Sequence, residues 1–272
     1  MNLSYIIGLV GAIVVILVGM AGPTFAFKNI ARFFDFSSVM ITIGCTIFVV
    51  VASFPARMLK NIPKHFKIIL NNKGNDPVKC IDELVELAQT ARKSGLLSFV
   101  EKAAEQEDPF FKQAIMMIVD VYDADKIRSI LENDIECMSE RHEEAAAMYD
   151  KAAAVAPAFG MVGTLVGLIN MLKNMNLDSG GSSSLGNDMG TALITTLYGC
   201  ILAHMVFGPV ASLLRTRDQE EVLYKMIIVE GVMGIQAGEN PKFLKDHLMT
   251  YLDQKRREIG EAGEEKKSKE EN

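Results

Sequence analysis

Four long stretches of this 272-residue chain contain no Asp, Glu, Lys or Arg. They are residues 2–27, 36–56, 152–172 and 189–214, each at least 21 residues long. A bilayer's hydrocarbon core is crossed by ~20 helical residues, so this absence predicts four membrane spans. All 34 acids and all 28 Lys and Arg lie outside the runs. The spans therefore offer no carboxylate of their own to a passing cation. If the chain moves ions, the ion-binding acid must come from a partner.

Other absences narrow the function further. There is no GxxxxGK[ST], HExxH or GxSxG pattern, which argues against a nucleotide loop, a zinc protease or a serine hydrolase. Gly160-Met161-Val162-Gly163 follows no strand and is no phosphate cradle. No CxxC occurs: Cys45, Cys80, Cys137 and Cys200 are scattered, two in apolar runs and two in the charged block. They read as small side chains in a reducing setting, with neither disulfide nor metal site. The net charge of −6 and the lack of a basic stripe with interleaved aromatics argue against nucleic-acid binding. Strand signals are weak and no internal repeat is evident. The first run lacks a basic leader and is long for a signal-peptide core, so it is expected to stay as a span.

What is present organises the chain. Residues 57–151 carry 14 Lys/Arg and residues 215–272 carry 11. The positive-inside bias puts both on the cytoplasmic side, with Arg57, Lys60, Lys64 and Lys67 crowding the end of the second run. Both termini are then cytoplasmic, and the outer connections, roughly 28–35 and 173–188, are short. The expected fold is an all-α membrane protein with four transmembrane helices. Residues 1–56 hold spans 1 and 2, and 57–151 form a helical cytoplasmic domain. Residues 152–214 hold spans 3 and 4, and 215–272 form a cytoplasmic helix and charged tail. Helices are predicted over 78–92, 96–107 and 110–122, with a Ser94-Gly95 break and an Asp108-Pro109 start. No Gly or Pro interrupts 124–156, which predicts one long helix running directly into the third span. The third and fourth helices thus extend into the cytoplasm.

Within the runs, Ala156, Gly160, Gly163 and Gly167 form a ridge of small residues for close helix contact, either within one chain or between subunits. Pro157 and Pro209 each remove a helical hydrogen bond. Each serves either as a fixed bend or as a hinge at one membrane level. Thr164, Thr195 and Thr196 either bond back to their own helices or line a wet path for a cation.

These residues resemble a known family. The segment Ala156-Pro157-Ala158-Phe159-Gly160-Met161-Val162-Gly163-Thr164-Leu165-Val166-Gly167-Leu168 is similar to the third-span signature of the MotA/PomA flagellar stator subunits, a branch of the MotA/TolQ/ExbB proton-channel superfamily. Ala91-Arg92-Lys93-Ser94-Gly95-Leu96-Leu97, Ile130–Ile135, Thr195-Thr196-Leu197-Tyr198-Gly199 and Gly208-Pro209-Val210-Ala211 extend the likeness over nearly the whole chain. The resemblance implies no enzyme and no cofactor, only transported H⁺ or Na⁺. It implies a ring of five copies around two copies of a MotB-like one-span partner that brings the essential Asp. Ion flow past that Asp turns the ring, and the cytoplasmic loop pushes on the rotor switch protein FliG. Pro157 and Pro209 match the family's functional prolines, and Arg92 its loop arginine. The loop glutamate is matched only with an offset: Glu101 comes one residue late, about 100° of helix rotation. The alternative is an ExbB/TolQ-like transducer that works an envelope partner and has no rotor.

Overall fold

The computed structural model describes residues 3–22, 30–70, 76–95, 98–99, 106, 108–120, 122–173, 182–254 and 256–257; side chains are described from Tyr5 onward, except at 70 and 182–185. All elements among the described residues are helical. Besides short helical turns at Ala31–Phe33 and Ala56–Leu59, they are α1 (Leu3–Ala21), α2 (Phe36–Ser53), α3 (Ile62–Leu70), α4 (Pro77–Ser94), α5 (Pro109–Val119), α6 (Ala124–Lys173), α7 (182–236) and α8 (Pro241–Met249). One compact unit comprises Met1–Lys73 and His142–Thr216, and a second comprises Gly74–Arg141 and Arg217–Asn272.

Among the described residues, three helices are long and apolar enough to cross a bilayer: Phe36–Ser53, Ala124–Lys173 and Gly186–Gln236. The apolar stretch Tyr5–Ala21 is shorter than these. The first charge-free run is helical over nearly all of its described residues, Leu3–Ala21, and residues 23–29 are not described. Helix α6 has 50 residues. At ~1.5 Å per residue it is far longer than the ~30 Å hydrocarbon core. The uninterrupted 124–156 sequence thus continues through Pro157 as one helix.

In the first unit, two helices contain wider, π-helical turns, at Met40–Gly44 in α2 and Leu202–Phe207 in α7. The second ends where Gly208 donates its N–H to the Ala203 carbonyl, five residues back. Pro209 follows at once. Having no N–H to donate, it fits where the helical register has already slipped. Beside it, Val210, Ala211 and Leu214 of α7 pack with Ala146, Met148 and Tyr149 of α6 and with Ile69 of α3.

In the second unit, three helices start in the same way. Asp76, Asp108 and Asn240 accept hydrogen bonds from the N–H groups of Val78, Phe110 and Lys242, and each is followed by a proline. The side chain satisfies one orphan donor, and the proline has no N–H to waste. α4 ends at Gly95, whose φ of 78° suits glycine. The helix expected over 110–122 stops at Val119; the helix expected over 96–107 lies almost wholly outside the described residues. Ile81, Leu84, Phe111, Ile115, Ile118, Ile127, Leu131, Ile227 and Ile228 form a closed core.

Candidate functional site

The small-residue ridge of α6 meets α7 of the same chain. A Cβ placed on Gly163 would lie 2.1 Å from Thr195 Cγ2. On Gly160 it would lie 3.1 Å from Thr196 Cα, and on Gly167 2.9 Å from the Asp188 carbonyl oxygen. The approach is reciprocal: a Cβ on Gly199 would come within 2.7 Å of the Ala156 carbonyl oxygen and 3.0 Å of Pro157 Cα. Of the two roles open to the ridge, this face makes the intrachain contact.

Close approach brings polar groups of the two helices together. Thr164 Oγ1 lies 2.5 Å from Thr196 Oγ1. Thr164 Oγ1 is 3.1 Å from both the Gly160 and the Ala192 carbonyl oxygens, and Thr196 Oγ1 is 3.4 Å from the same two. Two hydroxyls and two carbonyls thus converge. Both threonines are half-buried. They sit at the rim of the α6–α7 seam, where it gives way to exposed Met161 and Leu165 on α6 and Met189 and Leu193 on α7. The result is a neutral oxygen cluster in an otherwise apolar surface. It can pass a proton between hydroxyls or offer oxygen to a cation, but it holds no charge of its own.

Thr195 does not join this cluster. One residue is about 100° on a helix, and Thr195 turns inward to full burial. Its hydroxyl lies 2.8 Å from Ser38 Oγ and 2.7 Å from the Thr191 carbonyl. Ser38 in turn donates to Asp35 Oδ2 at 2.7 Å, and Asp35 also accepts from the Ser38 N–H. The same carboxylate caps α2. Tyr198 OH donates to the Phe33 carbonyl at 2.5 Å, so α7 is tied twice to the start of α2. The Thr164, Thr195 and Thr196 set is therefore split between a rim pair and a buried structural link. Ser38 and Asp35 were absent from the candidate residues, although Asp-x-x-Ser immediately before an apolar run is a helix-start pattern.

Beyond the charge-free segments, Arg215 grips Glu143 in a bidentate pair, at 2.9 and 2.5 Å, and reaches Asp150 at 2.6 Å. The guanidinium holds the Glu143 carboxyl below its usual range. Pro157 and Pro209 both lie between this clamp and the threonine pair along their helices. Arg92 is exposed on the last turn of α4. Glu101 lies outside the described residues. Among the described residues no cluster of three or more His, Cys, Asp or Glu could hold a metal ion.

Residues 102–226 match the MotA/TolQ/ExbB proton channel family. Motility protein A of Borreliella burgdorferi is 40% identical over 257 residues, which cover 94% of this chain and 96% of that protein. The chain belongs to the MotA/TolQ/ExbB proton channel family. The chemotaxis protein PomA of Vibrio alginolyticus is 36% identical, over 95% of this chain and 98% of its own length. The fold agrees as well. A chain from the flagellar MotAB stator complex of Bacillus subtilis superposes with a TM-score of 0.83 at 32% identity, over 93% of this chain and 96% of that one. As a family member the chain is an ion-channel subunit and not an enzyme. The Gly160–Gly167 ridge and the threonine rim fall inside the matched region.

Proposed function

We propose that the chain is the ring-forming subunit of a flagellar stator, converting H⁺ or Na⁺ flow into torque. The observation that carries this is the neutral rim pair Thr164–Thr196 in spans without a single carboxylate. A charged ion in a membrane needs a countercharge, so the site is complete only with a MotB-like one-span partner whose Asp faces the rim. Four spans with both termini cytoplasmic fit the placement of Lys and Arg. The exposed apolar faces of α6 and α7, including Met161, Leu165, Leu172 and Leu193, are where neighbouring copies, the partner helix and lipid would pack. Five copies around two partner chains is the family arrangement that the resemblance implies.

Coupling follows from the placement of the prolines. The glycine seam fixes α6 against α7 at one level, and the Arg215 clamp joins them at another. Pro157, at the end of the seam nearer the clamp, and Pro209, between seam and clamp, lack N–H groups and lower the cost of a bend. A protonation or ion-binding step at the partner's Asp would change the bend and swing the cytoplasmic parts of both helices. Arg92, and Glu101 with it, would carry that motion to FliG as a charge contact. The full-length likeness to motility protein A and PomA favours this motor over an ExbB/TolQ-like transducer.

The test is to express the chain, with its one-span partner, as the only stator in a flagellated cell. Rotation of tethered cells is expected. Paralysed flagella despite normal membrane insertion and partner binding would reject the motor role.

A further inference from the structure

We propose that residues 57–68 form a binding site for the headgroups of anionic phospholipids. The proposal rests on the placement of α2 across the bilayer, which sets Arg57 at its surface. α2 ends at Ser53, and Phe54 and Pro55 turn the chain out in an extended conformation. A helical turn at Ala56–Leu59 and then α3 follow. Arg57, Lys60, Lys64 and Lys67 are all exposed, and no acid occurs anywhere in 57–75. None of the four makes an ion pair among the described residues. By contrast, Arg128, Arg215, Arg217, Lys225 and Lys245 are each paired with a carboxylate. This is concentrated positive charge without a protein partner.

The apolar side of α3 specifies which anion fits. Ile69 is buried and Ile62 packs against the same cluster around Tyr149. Lys64 and Lys67, three residues apart, share the opposite side. Between these two sides lie Phe66 and Ile68, 40% and 49% exposed. The apolar arc of the helix is therefore wider than the strip that the protein covers. At a headgroup boundary the uncovered edges sink toward acyl chains while the lysine stems reach up to phosphates. A soluble polyphosphate would satisfy the cations but leave Phe66 and Ile68 in water, so the whole surface is matched by a lipid.

The full chain is placed in phosphatidylcholine nanodiscs and titrated with phosphatidylglycerol, with retained lipid counted by native mass spectrometry. Each cation near an anionic surface is worth roughly a fivefold change in binding. The Lys64→Gln/Lys67→Gln variant should thus lose on the order of 25-fold in phosphatidylglycerol retention. Adding Arg57→Gln and Lys60→Gln should abolish the preference over phosphatidylcholine. Added salt should weaken retention by the unmodified chain. Equal retention of both lipids by the unmodified chain, or unchanged preference in the fourfold variant, would overturn the site. Displacement by inorganic pyrophosphate at comparable concentration would overturn the lipid as its ligand. Insertion into the disc is scored separately. A chain that does not insert refutes the bilayer placement and this site together, whereas one that inserts without a preference refutes the site alone.

Discussion

Replacing Gly199 by Ala adds one methyl group to the tightest backbone contact between α6 and α7. The new Cβ would stand 2.7 Å from the Ala156 carbonyl oxygen and 3.0 Å from Pro157 Cα. Ordinary non-bonded separations are about 3.5–4.0 Å, so the helices must part by about 1 Å. Both obstructing atoms belong to the backbone, so no rotamer change relieves the clash. Overpacking of this kind costs about 1–3 kcal/mol, against which the better helix propensity of Ala returns at most ~1 kcal/mol. Gly163→Ala meets Thr195 Cγ2 at 2.1 Å, nominally a worse clash. Rotating that side chain moves Cγ2, at the expense of its bonds to Ser38 and Thr191, but leaves Thr195 Cβ at 2.7 Å, so this variant should lose stability as well. Gly190→Ala meets nothing within 4 Å and is the control. Thermal unfolding of the purified complex should show Gly190→Ala unchanged or higher and Gly199→Ala lower by several degrees. Ion flux should fall in Gly199→Ala as well, because the Thr164–Thr196 contact depends on the same approach. A Gly199→Ala protein as stable and as conductive as Gly190→Ala would refute the close seam.

Three further outcomes follow from the same geometry. Thr164→Val and Thr196→Val should each reduce ion flux while leaving assembly intact, whereas Thr195→Val should lower stability by about 0.5–1.5 kcal/mol, as expected for the loss of one hydrogen bond whose partner Ser38 keeps its bond to Asp35; thermal unfolding and flux measured on the same preparations separate the two effects. Outside the charge-free segments, Glu230 is held below the usual carboxylate range by its bidentate pair with Arg128, at 2.7 and 3.0 Å. Its stabilising contribution is present above the ordinary carboxylate pKa of about 4.3 and is lost as pH falls through the depressed folded value, so Glu230→Gln should flatten that part of an acid-unfolding curve followed by circular dichroism. Arg92→Glu should reduce motor torque without changing fold or ion flux, and a compensating charge reversal on FliG should restore part of it; bead assays read the torque.

The large free-energy terms were legible in the sequence. Charge is costly in a bilayer, so the charge-free runs stood out in composition alone. The unbroken 124–156 stretch and the charge-free run that follows it were enough to foresee one long helix, which continues through Pro157 and three glycines to Lys173. Rotational detail was not legible. Thr195 and Thr196 are neighbours in sequence, and only the phase of α7 decides which faces Ser38 and which faces the rim. The glycine ridge announced close approach, but small side chains carry no information about whose helix approaches them. The Asp35–Ser38–Thr195 link was hidden because its acid lies one residue outside an apolar run, where it reads as an ordinary cap. Pro209 marked its helix as irregular, but the preceding π-helical turn has no sequence signature of its own.

The central claim is that this chain conducts only when a partner supplies the carboxylate. It is tested most directly by ion flux into proteoliposomes holding the chain alone, the chain with its one-span partner, or the chain with that partner's intramembrane Asp changed to Asn. Flux is expected in the second preparation only, and it should fall when Thr164→Val is introduced there. Flux through the chain alone, or undiminished flux with the Asn partner, would contradict the account.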